Sequence, residues 1–291
     1  MSHKLTMIIV KPGLQTTIQD LGRSGWQEFG VPVSGAMDRR SLRLANLLVG
    51  NAVNNPCLEI TLLGPEILFD GNGLIAITGA NLSPAINDHP IPLHLPIKIY
   101  AGDRLSFGKY INGCRSYLAV HGHWLSPRWL NSYSVVPYCD GFPSLPPYIK
   151  KNHHISIEYL RLPEKEITIE KQSIAESIIE VIPGPEFHEF SQESRSQFGN
   201  ETFEITNQSN RMGYRLKEKL TGPLVTRSLI SSGVVPGTIQ VTHSGQMIIL
   251  MADAQTTGGY PRIGVVRSAD LDILGQKKPG DTIRFKLIHW T

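Results

Sequence analysis

Three cysteines in 291 residues, Cys57, Cys114 and Cys139, stand far apart and include no Cys-x-x-Cys pair. That excludes both a disulfide framework and a thiolate metal cluster, and it fits a reducing compartment, so a cytoplasmic location is expected. No stretch approaches the ~18–20 apolar residues needed to span a bilayer. The apolar run at residues 7–10 is too short for a signal peptide. No block of like charge occurs, the Lys150-Lys151 and Lys277-Lys278 pairs are isolated, and the net charge is +3, so no nucleic-acid partner is expected. A phosphate loop is also missing, because Gly108-Lys-Tyr-Ile-Asn-Gly113 runs into Cys114-Arg115 instead of Lys-Ser/Thr. The Gly71-Asn-Gly73 pair leads into a strand pattern, whereas a dinucleotide site needs a helix N-terminus there. Ser34, flanked by Pro32 and Ala36, makes no nucleophile elbow. His121-Gly-His123 has two imidazoles but no third ligand at supporting spacing, so no metal is expected.

What is present has mostly a period of two. Short alternating or apolar runs at residues 74–78, 97–100, 104–107, 116–120, 177–182, 247–251 and 282–288 are bounded by Gly, Pro, Asn or Asp and read as strands. The dense turns implied by 27 Gly and 20 Pro point to sandwich or barrel architecture and not to alternating strands and helices. One helix is clear: Asp38 supplies a cap, Leu42, Ala45, Leu48 and Val49 recur at helical spacing, and Gly50 supplies the stop. Two echoes suggest a pair of similar β units. Ala101-Gly-Asp-Arg-Leu-Ser-Phe107 resembles Pro279-Gly-Asp-Thr-Ile-Arg-Phe285, and Gly64-Pro-Glu66 resembles Gly184-Pro-Glu186. The expected organisation is a first domain over 1–125, a connecting segment over 126–175 and a second domain over 176–291.

Two segments combine glycine with dense polar side chains. The first is Gln15-Thr-Thr-Ile-Gln-Asp-Leu-Gly-Arg23, continuing through Val31-Pro-Val-Ser-Gly-Ala-Met-Asp38. The second is Gly237-Thr-Ile-Gln240 with Asp253-Ala-Gln-Thr-Thr-Gly-Gly-Tyr-Pro261. Glycines let backbone approach a ligand, while amides and hydroxyls orient it, which suits a small polar molecule with an amide or carboxylate. Arg23, Arg211 and Arg215 are forks for a carboxylate. Asp20, Asp38 and Asp253 are the available acid–base groups. The residues read equally well as elaborate β-turns whose Asp and Thr side chains bond their own backbone.

The same segments, with Leu44-Ala-Asn-Leu-Leu-Val-Gly-Asn51, Leu58-Glu-Ile-Thr61, Ile77-Thr-Gly-Ala-Asn81 and Ser209-Asn-Arg-Met-Gly-Tyr-Arg-Leu216, resemble the family of 5-oxoprolinase C subunits. That family is also described as biotin-dependent carboxyltransferase-like or as the antagonist of a kinase inhibitor. The resemblance implies a mainly β fold of two cyclophilin-like β-barrels with a few short helices. It implies a role in an assembly that opens 5-oxoproline to L-glutamate with ATP, in which this chain acts only with the A and B subunits, most directly B. Its other implications are a carboxyltransferase module acting on a urea-like amide with biotin supplied in trans, and a non-enzymatic antagonist of a kinase inhibitor. On these combined grounds Asp20, Arg23 and Asp253 are the expected catalytic residues. Gln19, Ser34, Asn81, Arg211, Tyr214, Gln240, Gln255, Thr256 and Thr257 are the expected substrate contacts, with the two segments facing one cleft. The chain departs from the family pattern at Asn210, where the family has Asp, and over 141–147 and 151–154, where the family has a glycine-rich stretch.

Overall fold

The computed structural model describes residues 3–136, 148–163, 177–222, 225 and 229–288. It is mainly β, as the period-two patterning implies, and divides into two compact units. Unit 1 is Met1–Arg23 with Ser34–Ile174, and unit 2 is Ser24–Val33 with Ala175–Thr291.

Unit 1 contains β1 (His3–Lys11), β2 (Gln15–Gln19), helix α1 (Arg39–Leu48), β3 (Cys57–Thr61), β4 (Glu66–Asp70), β5 (Gly73–Asn81), β6 (Pro84–Ile86), β7 (His89–Pro90), β8 (Pro96–Ile99), β9 (Arg104–Phe107), β10 (Asn112–Val120), β11 (His123–Trp124) and β12 (His154–Tyr159). Two sheets result, in the order β11-β12-β1-β4-β9-β6-β7 and β2-β3-β10-β5-β8. Leu5, Met7, Ile9, Ile67, Phe69 and Leu105 of the first meet Ile18, Leu58, Ile60, Ile75, Ile77 and Leu118 of the second in one apolar core. The outer face of the five-stranded sheet carries α1, whose Leu42, Ala45 and Leu48 pack on Cys57, Ala76 and Ala119. Asp38 caps α1, accepting from Ser41 N at 2.8 Å and Ser41 Oγ at 2.6 Å. Gly50 ends the helix in the left-handed region, at φ 72°. The alternating run His154-Ile-Ser-Ile-Glu-Tyr159 sits in the stretch expected to connect the units, yet it is β12, paired with β1 over Ile8↔His154 to His3↔Tyr159.

Unit 2 contains β13 (Ile178–Pro183), α2 (Gln192–Asn200), β14 (Thr202–Glu204), β15 (Gly213–Lys219), β16 (Ser232–Gly233), β17 (Thr238–Val241), β18 (Gln246–Leu250), β19 (Thr257–Gly258), β20 (Arg262–Val266), α3 (Asp270–Gly275) and β21 (Thr282–Leu287). Seven strands run β14-β21-β13-β20-β17-β18-β15. A bridge from Ile205 to Leu216, with Thr206 N donating to Arg215 O at 2.9 Å, joins the two ends and nearly closes the sheet into a barrel. Strands β13 and β21 are parallel. Helix α2 lays Phe198 against Phe285, ring centroids 4.6 Å apart.

One of the two sequence echoes is a structural repeat. Gly102 N donates to Phe69 O at 2.8 Å and Phe69 N to Asp103 O at 2.9 Å; Gly280 N donates to Ile205 O at 2.8 Å and Ile205 N to Asp281 O at 2.9 Å. In each turn the aspartate accepts a backbone N–H from three residues earlier, Tyr100 at 2.8 Å and Lys278 at 2.9 Å. The other echo is not one: Glu66 opens β4, whereas Glu186 follows β13 in a 3-10 turn. Among the described residues no helix is long and apolar enough to cross a membrane.

Candidate functional site

In unit 1 the polar end of β2 meets a strip of backbone at residues 132–135. The side chain of Gln19 is fully buried. Its Nε2 donates to Thr17 Oγ1 and to the Val135 carbonyl, each at 3.2 Å. A carbonyl only accepts, so that bond fixes which end of the amide is nitrogen. The Oε1 atom has no hydrogen-bond partner. Asp20 accepts from Gly22 N at 2.8 Å, Ser132 Oγ at 2.7 Å, Tyr133 N at 2.7 Å and Ser134 Oγ at 2.5 Å. Four donors on one buried carboxylate make it the anchor of this strip, with bonds to both oxygens. Arg23 donates Nη2 to Ser134 O and lies 4.7 Å over the Trp129 ring. Ser34, at φ 56°, donates Oγ to the Val135 carbonyl at 3.1 Å. Gly35 is needed for this approach, since a Cβ there would stand 2.7 Å from Gly22 N. Unit 1 thus brings Gln19, Asp20, Arg23 and Ser34 together. Ser132 and Ser134 went unread, and their only signal was a pair of hydroxyls flanking Tyr133.

A second buried network went unread because Glu59 looks like an ordinary strand residue. Glu59 accepts from Met37 N at 2.8 Å and Tyr117 Oη at 2.8 Å, and Tyr117 Oη accepts from Asp38 N at 2.7 Å. Arg115 Nε lies 3.6 Å from Glu59. Burial, and then the charges of Glu59 and Asp38, push the Tyr117 phenol well above its ordinary value, so it remains a donor. Asp38, taken up by capping α1, does not serve as a free acid–base group. Burial also pushes the Cys57 thiol up, which keeps it protonated.

Asn81 does not join this cluster. Gln19 pairs with Cys57 and Leu58 with Leu118, while Asn81 pairs with Asn112. That is roughly 20 Å farther along the sheet at ~3.3 Å per residue. There its Oδ1 accepts from Ser83 N at 2.9 Å, a turn role. The ring nitrogens of His121 meet the carbonyls of Val49 at 2.7 Å and Arg161 at 3.0 Å, and His123 is exposed. No group of three His, Cys, Asp or Glu side chains is placed to hold a metal among the described residues. A groove of about 900 Å³ flanked by Lys11, Glu66 and Arg104 opens elsewhere on unit 1, and none of the expected site residues lines it.

In unit 2, Arg211 and Asp253 bind each other. Nε donates to Oδ2 at 2.7 Å and Nη2 to Oδ1 at 2.9 Å, with side-chain exposures of 1% and 0%. Arg211, the expected fork for a substrate carboxylate, and Asp253, an expected catalytic acid–base group, are thus ion-paired to each other. Asp253 N also donates to Arg211 O at 2.9 Å, so the pair ties together two turns. Asn210 accepts from Met212 N at 2.8 Å, the turn role an aspartate would fill. Tyr214, buried, donates to Lys277 O at 3.2 Å, and Arg215 donates to Gln246 Oε1 at 3.3 Å. Buried Gln240 accepts from Gln255 Nε2 at 3.4 Å. Its own Nε2 has no partner and would lie 2.4 Å from a Cβ added at Gly258. Thr256 O accepts from Val234 N at 2.9 Å, and Thr257 pairs with Gly233. The family departure at 141–147 lies outside the described residues.

Glu186 and Arg262, unread as a pair, form a two-pronged ion pair at 2.6 Å and 2.8 Å. The Arg262 hydrogen bonds hold the Glu186 carboxyl below its ordinary value of 4.5. With a depressed folded-state pKa, the stabilisation is complete above the unfolded value and fades as pH falls below about 4.5. Glu186→Gln is expected to flatten part of this acid limb in urea denaturation. Identical acid sensitivity in variant and wild type would refute it.

The carboxyltransferase domain family model, subdomains A and B, matches residues 29–287. The 5-oxoprolinase C subunit of Escherichia coli (strain K12) is 39% identical over 95% of this chain and 89% of its own length. Its counterpart of the same name in Haemophilus influenzae is 33% identical over 94% and 88%. The crystal structure of the K. lactis urea amidolyase matches with a TM-score of 0.85 at 33% identity, over 96% of this chain and 18% of that one.

Proposed function

The chain belongs to the carboxyltransferase-domain family of subdomains A and B, and on that premise we propose that it is the C subunit of a 5-oxoprolinase, opening 5-oxoproline to L-glutamate with ATP. The observation that carries this reading is the 39% identity to the E. coli protein over nearly the whole of both chains. Against the K. lactis urea amidolyase structure the likeness covers only 18% of the other protein, as expected of one module inside a larger machine.

The lactam is a stable amide. ATP phosphorylates its carbonyl oxygen and leaves as ADP; one water adds to that carbon and the C–N bond opens to the amine and an acyl phosphate, which a second water hydrolyses to the carboxylate of glutamate and free phosphate. The sequence has no phosphate loop, so within this reading ATP is assigned to a partner, one of the A and B subunits, with B the direct neighbour of this chain. Within the reading, each unit offers its own candidate substrate contacts: Gln19 and Ser34 in unit 1, and Gln240, Gln255, Thr256 and Thr257 in unit 2. Asp20, Arg211 and Asp253 hold the loops that present them.

The purified chain is expected to hydrolyse no ATP in response to 5-oxoproline, and to support glutamate release once its A and B partners are added. Turnover by the single chain, or none from the complete assembly, would overturn the proposal.

A further inference from the structure

The outer face of the five-stranded sheet in unit 1 carries a row of buried polar side chains. Thr17 and Gln19 of β2 stand opposite Glu59 and Cys57 of β3, and Tyr117 stands opposite Glu59 and Thr78. Directly paired residues share a face. The oxygens of this row are bonded within the protein. Thr17 Oγ1 accepts from Gln19, Glu59 accepts from Met37 N and Tyr117, and Thr78 donates to the Ser41 carbonyl at 2.7 Å. The exception is Gln19 Oε1, fully buried and without a partner. The amide cannot be turned to remove the problem, because its nitrogen is committed to the Val135 carbonyl. A buried acceptor left open is costly enough that few persist in a folded protein without a role. An acceptor in want of a donor, beside a backbone strip that also holds the cationic Arg23, matches a small anionic molecule carrying an N–H.

Resting on the 5-oxoprolinase reading, we propose that Gln19 Oε1 accepts the ring N–H of 5-oxoproline and is the group by which this chain tells a lactam from its oxygen analogue. The lactone of 2-hydroxyglutarate has the same ring and carboxylate with oxygen in place of N–H. Its ring oxygen offers no donor, so two acceptors would face each other. A site built around a substrate N–H rejects an analogue lacking it far more strongly than a missing methylene would cause.

The test is calorimetric titration of the purified chain with 5-oxoproline and with the lactone. The wild type is expected to hold the lactam ten- to a hundredfold more tightly, and Gln19→Met to erase the difference. Thr17→Val removes a neighbouring bond but leaves Oε1 in place, and should keep the discrimination. Equal affinities in the wild type, discrimination surviving in Gln19→Met, or no lactam binding would each overturn the subsite, and the first and last need no variant to fold. The function is read separately, from glutamate release by the assembly. Release undiminished in Gln19→Met sinks the subsite and leaves the function. No release from an assembly in which this chain still selects the lactam sinks the function and leaves the subsite.

Discussion

Asp253→Ala is expected to cost about 3–5 kcal/mol of stability, seen as a lower urea midpoint for unit 2 with the slope unchanged. The pair it breaks is two-pronged, with exposures of 1% and 0%. Removing the carboxylate takes two charge-assisted hydrogen bonds from a guanidinium in a place that water does not reach. The loss is therefore dominated by the weakened compensation of a buried charge and not by the attraction forgone. That argument makes a second demand: Arg211→Met with Asp253→Leu removes both charges and should recover a large part of what either single change loses. A catalytic Asp253 would behave in the opposite way, with activity gone and the unfolding curve unmoved. A midpoint shift worth less than about 1 kcal/mol would make Asp253 a candidate proton carrier again.

Asp20→Ala is expected to be nearly as severe, about 3 kcal/mol or more, because it takes the acceptor from three buried donors and one partly buried one. Those donors are Gly22 N, Ser132 Oγ, Tyr133 N and Ser134 Oγ. The damage should be local in its first expression: the amide of Tyr133 should lose its protection from hydrogen exchange before the strands of the core do. Protection at Tyr133 unchanged in the variant would show that the strip is held by something other than Asp20.

The strands were legible because each expected run alternates or is wholly apolar, and the runs at 74–78, 104–107, 116–120, 247–251 and 282–288 fall in or on β5, β9, β10, β18 and β21. Helix α1 was legible for the same reason, through cap, spacing and stop. Helix α2 was not: it buries only Ser194 and Phe198, too little for a helical stripe to show. The polar segments around Gln19 and Gln240 stand out in the sequence, but composition does not say which polar atom is already spoken for. Arg211 and Asp253 lie 42 residues apart, and nothing local distinguishes an arginine awaiting a carboxylate from one that has found its own. The two echoes failed and succeeded for a related reason. The Gly-Asp turn is defined by backbone bonds within a few residues, so similar sequence means similar structure. The glutamates after Gly-Pro take their meaning from strands far away, and similar sequence there means little.

Parallel pairing of β13 with β21 sets the order in which unit 2 can be made. As the chain leaves the ribosome, β13 appears at residue 178, but its neighbours in the finished sheet are β20 and β21, which begin at Arg262 and Thr282. Until then both of its edges are bare, an invitation to pairing with the wrong chain. Contacts this distant in sequence form slowly. A stop codon that removed β21 alone would strip a partner from β13 and from β14 together, so unit 2 would not fail gradually with shortening. It would wait for β21 to join β13 to β14 and complete the sheet.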